Sequence, residues 1–264
     1  TDVQDAFHVD SGLSLDAPVT ITGATVANPV VVTATAHGFS DGDVVQITGL
    51  TGIGGTDTGM TELNGNRYTL NNKTTNTFEL QDTNETTPVN INGSGYSAYV
   101  SGGKARKEVT TISGLHHLVG ESVTIFGDGS VIASETVAAA GTITLDAGVA
   151  RAHIGLPYTC DLKTLPLVHS KIEAVGAGRL KSPTSVHLRV DKARGIFAGP
   201  DFDHLREFAQ RTSEVYGSPT AMMTNEIEIV LDPKWSRGGQ IAIRKTDPSP
   251  ITILSLVWEG EFSE

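Results

Sequence analysis

The sequence predicts an all-β protein made of antiparallel sandwich and barrel modules, with at most one short helix. Thr, Val and Gly are plentiful, with 29 glycines in 264 residues, whereas long runs of the strong helix formers Leu, Glu, Lys and Ala are scarce. Apolar and polar residues alternate over several stretches, and Asn-Gly pairs lie at residues 64–65 and 92–93. Strands with one buried face, joined by tight turns, produce both patterns.

Each predicted strand is a β-branched or alternating stretch bounded by turn residues. Up to residue 108 the stretches are 30–35, 44–48, 67–70, 77–81 and 96–100, and up to residue 145 they are 109–112, 122–126, 131–137 and 142–145. In the last part they are 185–190, 226–231, 240–245 and 251–258. The one predicted helix is 201–210, because apolar residues follow Asp201, a helix-capping residue type, at three-four spacing.

A short phrase occurs twice in the chain. The two copies read HGFSDGDVVQITG from His37 and HLVGESVTIFGDG from His117. They share a glycine followed by two alternating apolar positions and a second glycine: Gly42, Val45, Ile47 and Gly49 in the first, Gly120, Val123, Ile125 and Gly127 in the second. The phrase predicts a turn glycine that leads into a strand with two buried side chains.

The net charge of −11 is unevenly distributed. Residues 1–168 carry 17 acidic and 7 basic residues, whereas residues 169–264 carry 13 and 12. A protein that grips nucleic acid needs several bases on one face, so we expect any DNA contact to be transient and repulsive. No apolar run approaches the roughly 18 residues of a membrane span, which predicts no membrane insertion. The chain starts at Thr1 without a Met, which predicts a longer or processed protein.

No set of residues has the spacing of a catalytic, cofactor-binding or metal site. His116 and His117 are adjacent, so in a strand they would point to opposite faces. Asp41 and Asp43 resemble the start of a calcium loop, but the rest of the loop pattern is absent. Cys160, the single cysteine, has no basic residue beside it in sequence. We therefore predict no catalytic, cofactor-binding or metal-ligating residue and no enzyme activity.

Two phrases carry a resemblance to a known family. VARAHIGLPYTCDLKTLPL at residues 149–167 and IAIRKTDPSPITILSLVW at residues 241–258 resemble the closing part of the tail nozzle (tail tubular protein B-like) proteins of short-tailed bacteriophages. The resemblance covers residues 1–23 and 109–264. It implies a structural virion protein of a phage tail that forms a ring, commonly of six copies, and conducts DNA during ejection. Its implied partners are adaptor and portal-side tail proteins and, in some members, tail fibres or a spike.

The intervening residues resemble a second family. The phrases AHGFSDGDVVQITGLTG, LNGNRYTL and NTFEL are similar to the small FCCH β-barrel named after ubiquitin-activating enzymes, a module that recurs in phage tail proteins. The resemblance implies no ubiquitin chemistry. We therefore predict three modules: residues 1–23 with 109–164 as a nozzle-type β-module, residues 24–108 as an inserted FCCH-like barrel that folds autonomously, and residues 165–264 as a C-terminal β-sandwich. We expect the last module to make the main subunit contacts.

Two further features leave alternatives open. One is a group of bases, Arg179, Lys181, Arg189, Lys192 and Arg194, near the acids Asp201, Asp203 and Glu207. It is either a solvated face or a set of subunit contacts. The other is a set of aromatic residues, Tyr68, Phe78, Tyr96 and Tyr99, which would form a sugar platform if the chain were a glycan-binding or adhesive tail module. An enzyme such as a depolymerase would need a close acid pair, and the sequence offers no distinctive one.

Overall fold

A computed structural model describes residues 9–52, 59–84, 86–167, 179–211, 214 and 220–263. The fold is all-β and confirms the class predicted from the sequence. The helical pieces in these ranges are two three-residue 3₁₀ turns, Thr61–Leu63 and His116–Leu118. None of them is long and apolar enough to cross a membrane.

Twenty strands lie within the described ranges. The first twelve are β1 Asp10–Leu15, β2 Val19–Thr20, β3 Gly23–Ala24, β4 Val31–Thr33, β5 Val44–Thr51, β6 Arg67–Asn71, β7 Thr77–Gln81, β8 Ser101–Lys107, β9 Val109–Ser113, β10 Ser122–Gly127, β11 Ser130–Thr136 and β12 Thr142–Val149. The others are β13 Ala152–Leu156, β14 Cys160–Lys163, β15 Lys181–Ala193, β16 Phe197–Gly199, β17 Arg206–Glu207, β18 Met223–Val230, β19 Ala242–Lys245 and β20 Ile253–Phe262.

The chain divides into two compact units. The barrel unit comprises Ser14–Val119 and Ala138–Ala152, and the three-sheet unit comprises Thr1–Leu13, Gly120–Val137 and His153–Glu264. The barrel unit contains a seven-stranded sheet in the order β2-β8-β5-β6-β7-β4-β3 and the separate pair β12-β9. The three-module division of the sequence stays a prediction, although one of its boundaries falls within the seven-stranded sheet.

Residues 19–24 close the barrel. Val19 and Thr20 pair with β8, and the Ile21 amide continues this pairing by donating to the Gly103 carbonyl at 2.9 Å. The Thr22 amide then donates to the Thr33 carbonyl at 2.8 Å, and β3 pairs with β4. One short segment thus pairs with β8 near one end of the sheet and with β4 near the other. The boundary predicted after residue 23 lies inside this segment, and the barrel strands begin at Val19.

The barrel core is formed by the alternating apolar positions of its strands. Val32, Val45, Ile47 and Phe78 are fully buried and belong to one contact cluster. The predicted Asn-Gly turn at Asn64 is present, and Gly65 adopts the left-handed φ of 77° that such a turn requires. The Asn64 amide accepts a hydrogen bond from the Leu50 amide at 2.9 Å and donates to the Leu50 carbonyl at 2.8 Å. The side chain therefore acts as a strand partner for Leu50.

We expect Asn64→Ala to lower the free energy of unfolding by about 2 kcal/mol, because it leaves both backbone groups of Leu50 without this partner. Urea denaturation, monitored by far-UV circular dichroism, measures the change in the free energy of unfolding. Asn90→Ala is the matched control, since the exposed Asn90 side chain accepts a hydrogen bond from the Gln81 side chain and its backbone does not have a positive φ. A control that loses as much stability as Asn64→Ala would contradict the assignment.

The three-sheet unit contains a sandwich. Sheet β14-β19-β16-β17 and sheet β18-β15-β20 share one core, to which Val186 and Leu188 of β15, Ile227 of β18 and Ile243 of β19 contribute. The predicted alternation is confirmed, because Ile227 and Ile229 are buried whereas Glu226 and Glu228 are exposed. The remaining sheet has the order β1-β13-β10-β11.

The helix predicted at residues 201–210 is wrong. Asp201 accepts a hydrogen bond from the Asp203 amide at 3.1 Å and contacts His204 at 2.6 Å, which closes a turn instead of capping a helix. β17 then pairs with Phe197 and Ala198 of β16. Gly199 permits this close return, because a Cβ at this position would lie 1.9 Å from the His204 carbonyl oxygen. Strand pairing therefore overrides the helical spacing of the apolar residues.

The strand predicted at residues 96–100 is also absent, and β8 begins at Ser101. The Ser97 amide donates to Glu62 Oε1 at 2.9 Å, and the Tyr99 hydroxyl donates to the Ile21 carbonyl at 3.1 Å. Side chains therefore take up the hydrogen bonds that a strand would have formed with a neighbour. The repeated phrase behaves as predicted: Gly42 and Gly120 have φ of 85° and 84°, and each leads into a strand with two fully buried apolar residues.

Candidate assembly surface

The sheet β18-β15-β20 has a polar side that faces away from the sandwich core, which we call the outer face. Its central residues are His187, placed between Glu228 and Val257, and Arg189, placed between Glu226 and Ser255. Because neighbouring positions on a strand point to opposite sides, the buried Val186, Leu188 and Val190 fix these residues outward. Val230, Leu254, Ser255, Val257 and Glu259 complete the outer face.

The outer face combines aliphatic side chains with an excess of acids. Val230, Leu254 and Val257 are each 59 % exposed. Glu226, Glu228 and Glu259 are exposed, whereas Arg189 is the one arginine or lysine among the residues that define this face. Apolar groups within a charged rim are typical of protein contact surfaces.

A recess of about 450 Å³ lies at one end of the outer face. Arg189, Asp191, Glu226 and Leu254 are among its lining residues. The Thr224 hydroxyl donates to Asp191 Oδ1 at 2.8 Å, which fixes one of the two carboxylates. The recess is thus able to accept a basic side chain between Asp191 and Glu226, with aliphatic contact to Leu254.

The five bases predicted to form one group do not share a surface. Lys181 is 1 % exposed and donates to the Arg237 carbonyl at 2.7 Å, and Arg194 is 7 % exposed. Arg179 donates to the Ser263 carbonyl at 3.2 Å. Of the five, Arg189 and Lys192 are exposed. β15 begins at Lys181 and ends at Ala193, so Arg179 and Arg194 lie outside it, and two register shifts in its pairing with β20, at Pro183/Ser185 and at Arg189/Val190, interrupt a regular alternation of sides along the strand.

Of the three acids Asp201, Asp203 and Glu207, the first already has partners in the chain. Asp201 pairs with Lys234 and with His204, and these hydrogen bonds lower the pKa of its carboxyl. Asp203 and Glu207 are exposed at this end of the unit. For the exposed bases and acids, the interpretation as subunit contacts therefore stays a prediction. Lys181, Arg194 and Asp201 instead bond to groups of their own chain, so these three residues stabilise the fold.

The aromatic residues proposed as a sugar platform belong mainly to the barrel core. Tyr68 is 5 % exposed and Phe78 is fully buried. Burial raises the pKa of Tyr68 to about 12. Tyr96 and Tyr99 are partly buried and pack against the same cluster. These four side chains do not form an exposed stacking surface, so the glycan-binding alternative stands without the platform that suggested it.

The other side chains considered as metal or nucleophilic sites have structural contacts or no ligand geometry. Asp41 Oδ1 accepts from the Lys73 amide at 2.9 Å, and Asp43 pairs with Lys107 at 2.7 Å. His116 packs against Gly141, where an added Cβ would lie 2.5 Å from Nδ1. Within the described ranges, no three His, Cys, Asp or Glu side chains are grouped so that they could hold a metal ion. The glycine-rich sequence GIGGTDTG begins at Gly52, and its residues 53–58 lie outside the described residues.

A buried lysine was not found by the sequence analysis. Lys245 is 3 % exposed and donates to the Arg194 carbonyl and, at 2.7 Å, to the Ser249 hydroxyl. Ser249 lies in the Asp-Pro-Ser-Pro break and is fully buried. Burial lowers the pKa of Lys245 to about 8, despite the opposing effect of Asp247. The sequence contained a signal for this buried lysine. Ile241 and Ile243 are alternate, inward-facing positions, and Lys245 occupies the next position of the same series.

We expect Lys245 to make the protein more stable as pH rises from 8 to 10. Its pKa is lowered from 10.5, so in this range the unfolded chain binds more protons than the folded one, and stability increases with pH. The full difference corresponds to about 3 kcal/mol. Urea midpoints at pH 7.5, 9 and 10 measure it; higher pH is avoided because the raised pKa of Tyr68 acts in the opposite direction.

The control compares two lysine variants over the same pH series. Lys245→Met should lose the alkaline increase, whereas Lys163→Met, at an exposed position of β14, should retain it. An increase of equal size in both variants would show that other groups cause it.

Comparison with known proteins finds a similarity for one part of the chain, which lies in the barrel unit. No curated protein matches the chain. Residues 27–108, which contain strands β4 to β8, match the family model described as the ubiquitin-activating enzyme E1 FCCH domain, so this part of the chain is a β-module similar to that domain.

Proposed function

We propose that the chain is a structural protein of a bacteriophage tail that assembles with copies of itself into a nozzle-type ring. The observation that carries the proposal concerns the two phrases that resemble nozzle proteins. Residues 160–163 of the first pair strand to strand with residues 242–245 of the second. Arg244 adds two hydrogen bonds of 2.8 Å to the Asp161 carboxylate. Phrases about 80 residues apart in sequence thus form one local structure, which supports a common origin of the two phrases in the closing part of a nozzle-type protein, although the predicted boundary after residue 164 separates them.

The outer face supports the assembly part of the proposal. A ring that closes by rotation joins two different surfaces of the same chain. The outer face is acidic and apolar, and the same unit exposes the bases Lys163, Lys192 and Arg237. A second copy of the chain is therefore the occupant that we assign to the outer face, with its bases opposite the three glutamates.

The remaining parts of the proposal follow from the resemblance. The protein resides in the virion, contacts adaptor and portal-side tail proteins and tail fibres or a spike, and lets DNA pass through the ring during ejection. The acidic excess of residues 1–168 agrees with a passage that does not retain DNA. The barrel is an accessory module within this arrangement.

The test is the state of assembly of the purified chain. We expect light scattering to give a multiple of the 27.8 kDa chain mass and electron-microscope class averages to show a ring with a central hole. Addition of the adaptor and portal-side proteins of the same phage is the second arm, because partner proteins organise many rings. A monomer in both arms would overturn the proposal, and binding of host polysaccharide by that monomer would favour the glycan-binding alternative.

We also expect the assembled ring to bind DNA weakly. Fluorescence anisotropy with labelled duplex DNA should give no tight binding at physiological salt. Binding that is tight there and falls by orders of magnitude at higher salt would instead indicate several phosphate contacts from the exposed bases.

A further inference from the structure

Cys160 and Lys245 face each other across two neighbouring strands of the three-sheet unit. They are direct partners in the antiparallel pair β14-β19, in which opposed side chains lie on the same side of the sheet with Cβ atoms about 4.5–5.5 Å apart. Both residues line a recess of about 210 Å³ with Tyr158 and Asp247, and both line a second recess of about 290 Å³. Cys160 and Lys245 therefore border the same two recesses.

The hydrogen bonds of Lys245 suit a neutral amine. Its Nζ donates to two acceptors, the Arg194 carbonyl and the Ser249 hydroxyl. A neutral amine has two N–H groups and one lone pair, so these two bonds leave the lone pair available. Because burial lowers the pKa of Lys245 to about 8, a sizeable part of the amine is neutral in mildly alkaline solution.

Cys160 is accessible to small oxidants. It is exposed at the start of β14, a strand whose four residues are all exposed. As the single cysteine it has no disulfide partner in its own chain. Burial, followed by the neighbouring thiol, raises the pKa of Tyr158, so the thiol lies close to that ring. An oxidised Cys160 thus has Lys245 as its nucleophilic neighbour across the strand pair.

We propose that Cys160 and Lys245 form a covalent cross-link when a peroxide oxidises the thiol. The sulfur first takes one oxygen from the peroxide, giving a sulfenic acid and one water. The Lys245 lone pair then attacks this sulfur, the S–O bond breaks, and the hydroxide leaves with an amine proton as a second water. An S–N bond forms, the sulfur is oxidised by two electrons, and one peroxide is reduced.

The cross-link would tie an exposed edge strand to the interior of its sheet. Cross-strand partners of β14 are all in β19, so the new bond would reinforce the four-residue pairing between them. A thiol or another reductant would reverse it by cleaving the S–N bond. This site is independent of the assembly proposal, because it requires neither a ring nor a phage partner.

The experiment is peroxide treatment of the folded full chain, followed by digestion and mass spectrometry. We expect a peptide pair joining Cys160 and Lys245, lighter than the sum of its parts by two hydrogens and separated again by a thiol reductant. The cross-linked share of oxidised Cys160 should be about tenfold higher at pH 9 than at pH 7, following the neutral fraction of Lys245.

Two substitutions and the oxidation products of Cys160 test the cross-link. Cys160→Ser should abolish the peptide pair, and Lys163→Arg, which changes the neighbouring lysine on β14, should leave it intact. The wild-type chain alone is sufficient if a variant fails to fold. Sulfinic or sulfonic acid on Cys160, or a disulfide between two chains, without any link to Lys245 would overturn the proposal.

Discussion

Replacing Arg194 with alanine should lower the free energy of unfolding by about 3–5 kcal/mol, the largest effect that we expect from a single substitution in this chain, from two unsatisfied carbonyls and one lost cation–π contact. Its Nη1 donates to the Gly129 carbonyl at 2.9 Å and to the Thr220 carbonyl at 3.0 Å. The guanidinium also lies 5.5 Å from the centre of the Phe126 ring. Alanine would leave both carbonyls without this donor and remove a cation–π contact.

The size of the effect follows from what Arg194 joins. Gly129 lies in the turn of the β10-β11 hairpin, whereas Arg194 itself follows β15. The backbone carbonyl of Arg194 in turn accepts from Lys245. One buried residue therefore links a hairpin of one sheet with two strands of the sandwich, and its loss affects all of them together.

Chemical denaturation monitored by tryptophan fluorescence measures the change. Arg189→Ala is the matched control, because Arg189 is an exposed arginine on β15, the strand that Arg194 follows, and we expect a change within about 0.5 kcal/mol. A loss below about 1 kcal/mol for Arg194→Ala would show that the two carbonyls find water or other donors.

The sequence predicts most strands of this fold because their apolar residues alternate. The predicted stretch 77–81 coincides with β7, and 44–48, 109–112 and 122–126 lie within β5, β9 and β10. Turn glycines such as Gly42 and Gly120 are recognisable because they follow one local pattern. These features depend on neighbouring residues alone, so a single sequence contains them.

What the sequence does not predict depends on contacts between distant residues. Two-residue strands such as β2 and β3 have no periodicity to detect, yet they close the barrel by pairing with β8 and β4. Four bases lie between residues 181 and 194, but Lys181 and Arg194 are buried whereas Arg189 and Lys192 are exposed. The outer face likewise becomes a surface only when β18, β15 and β20 are placed side by side.

The double substitution Leu254→Asp and Val257→Asp should abolish assembly and leave the fold intact. Both side chains are 59 % exposed, so neither contributes much to the core. In the proposed contact with a second copy, each aliphatic group would contribute about 1.5 kcal/mol, so their loss weakens association at least about 100-fold. The added carboxylates also repel Glu226 and Glu228 and increase the acidic excess of the outer face.

This variant tests the outer face more cleanly than removal of residues 251–264 would. That segment contains β20, whose Leu256 and Trp258 pack against the sandwich core, so its removal would disturb the fold and the surface together. The matched control is Val26→Asp with Val89→Asp in the barrel unit, where the two valines are 44 % and 61 % exposed. Light scattering should give a monomer for the first variant and an unchanged assembly for the control, with equal thermal midpoints. An assembly that survives the outer-face variant would place the contact between copies elsewhere on the chain.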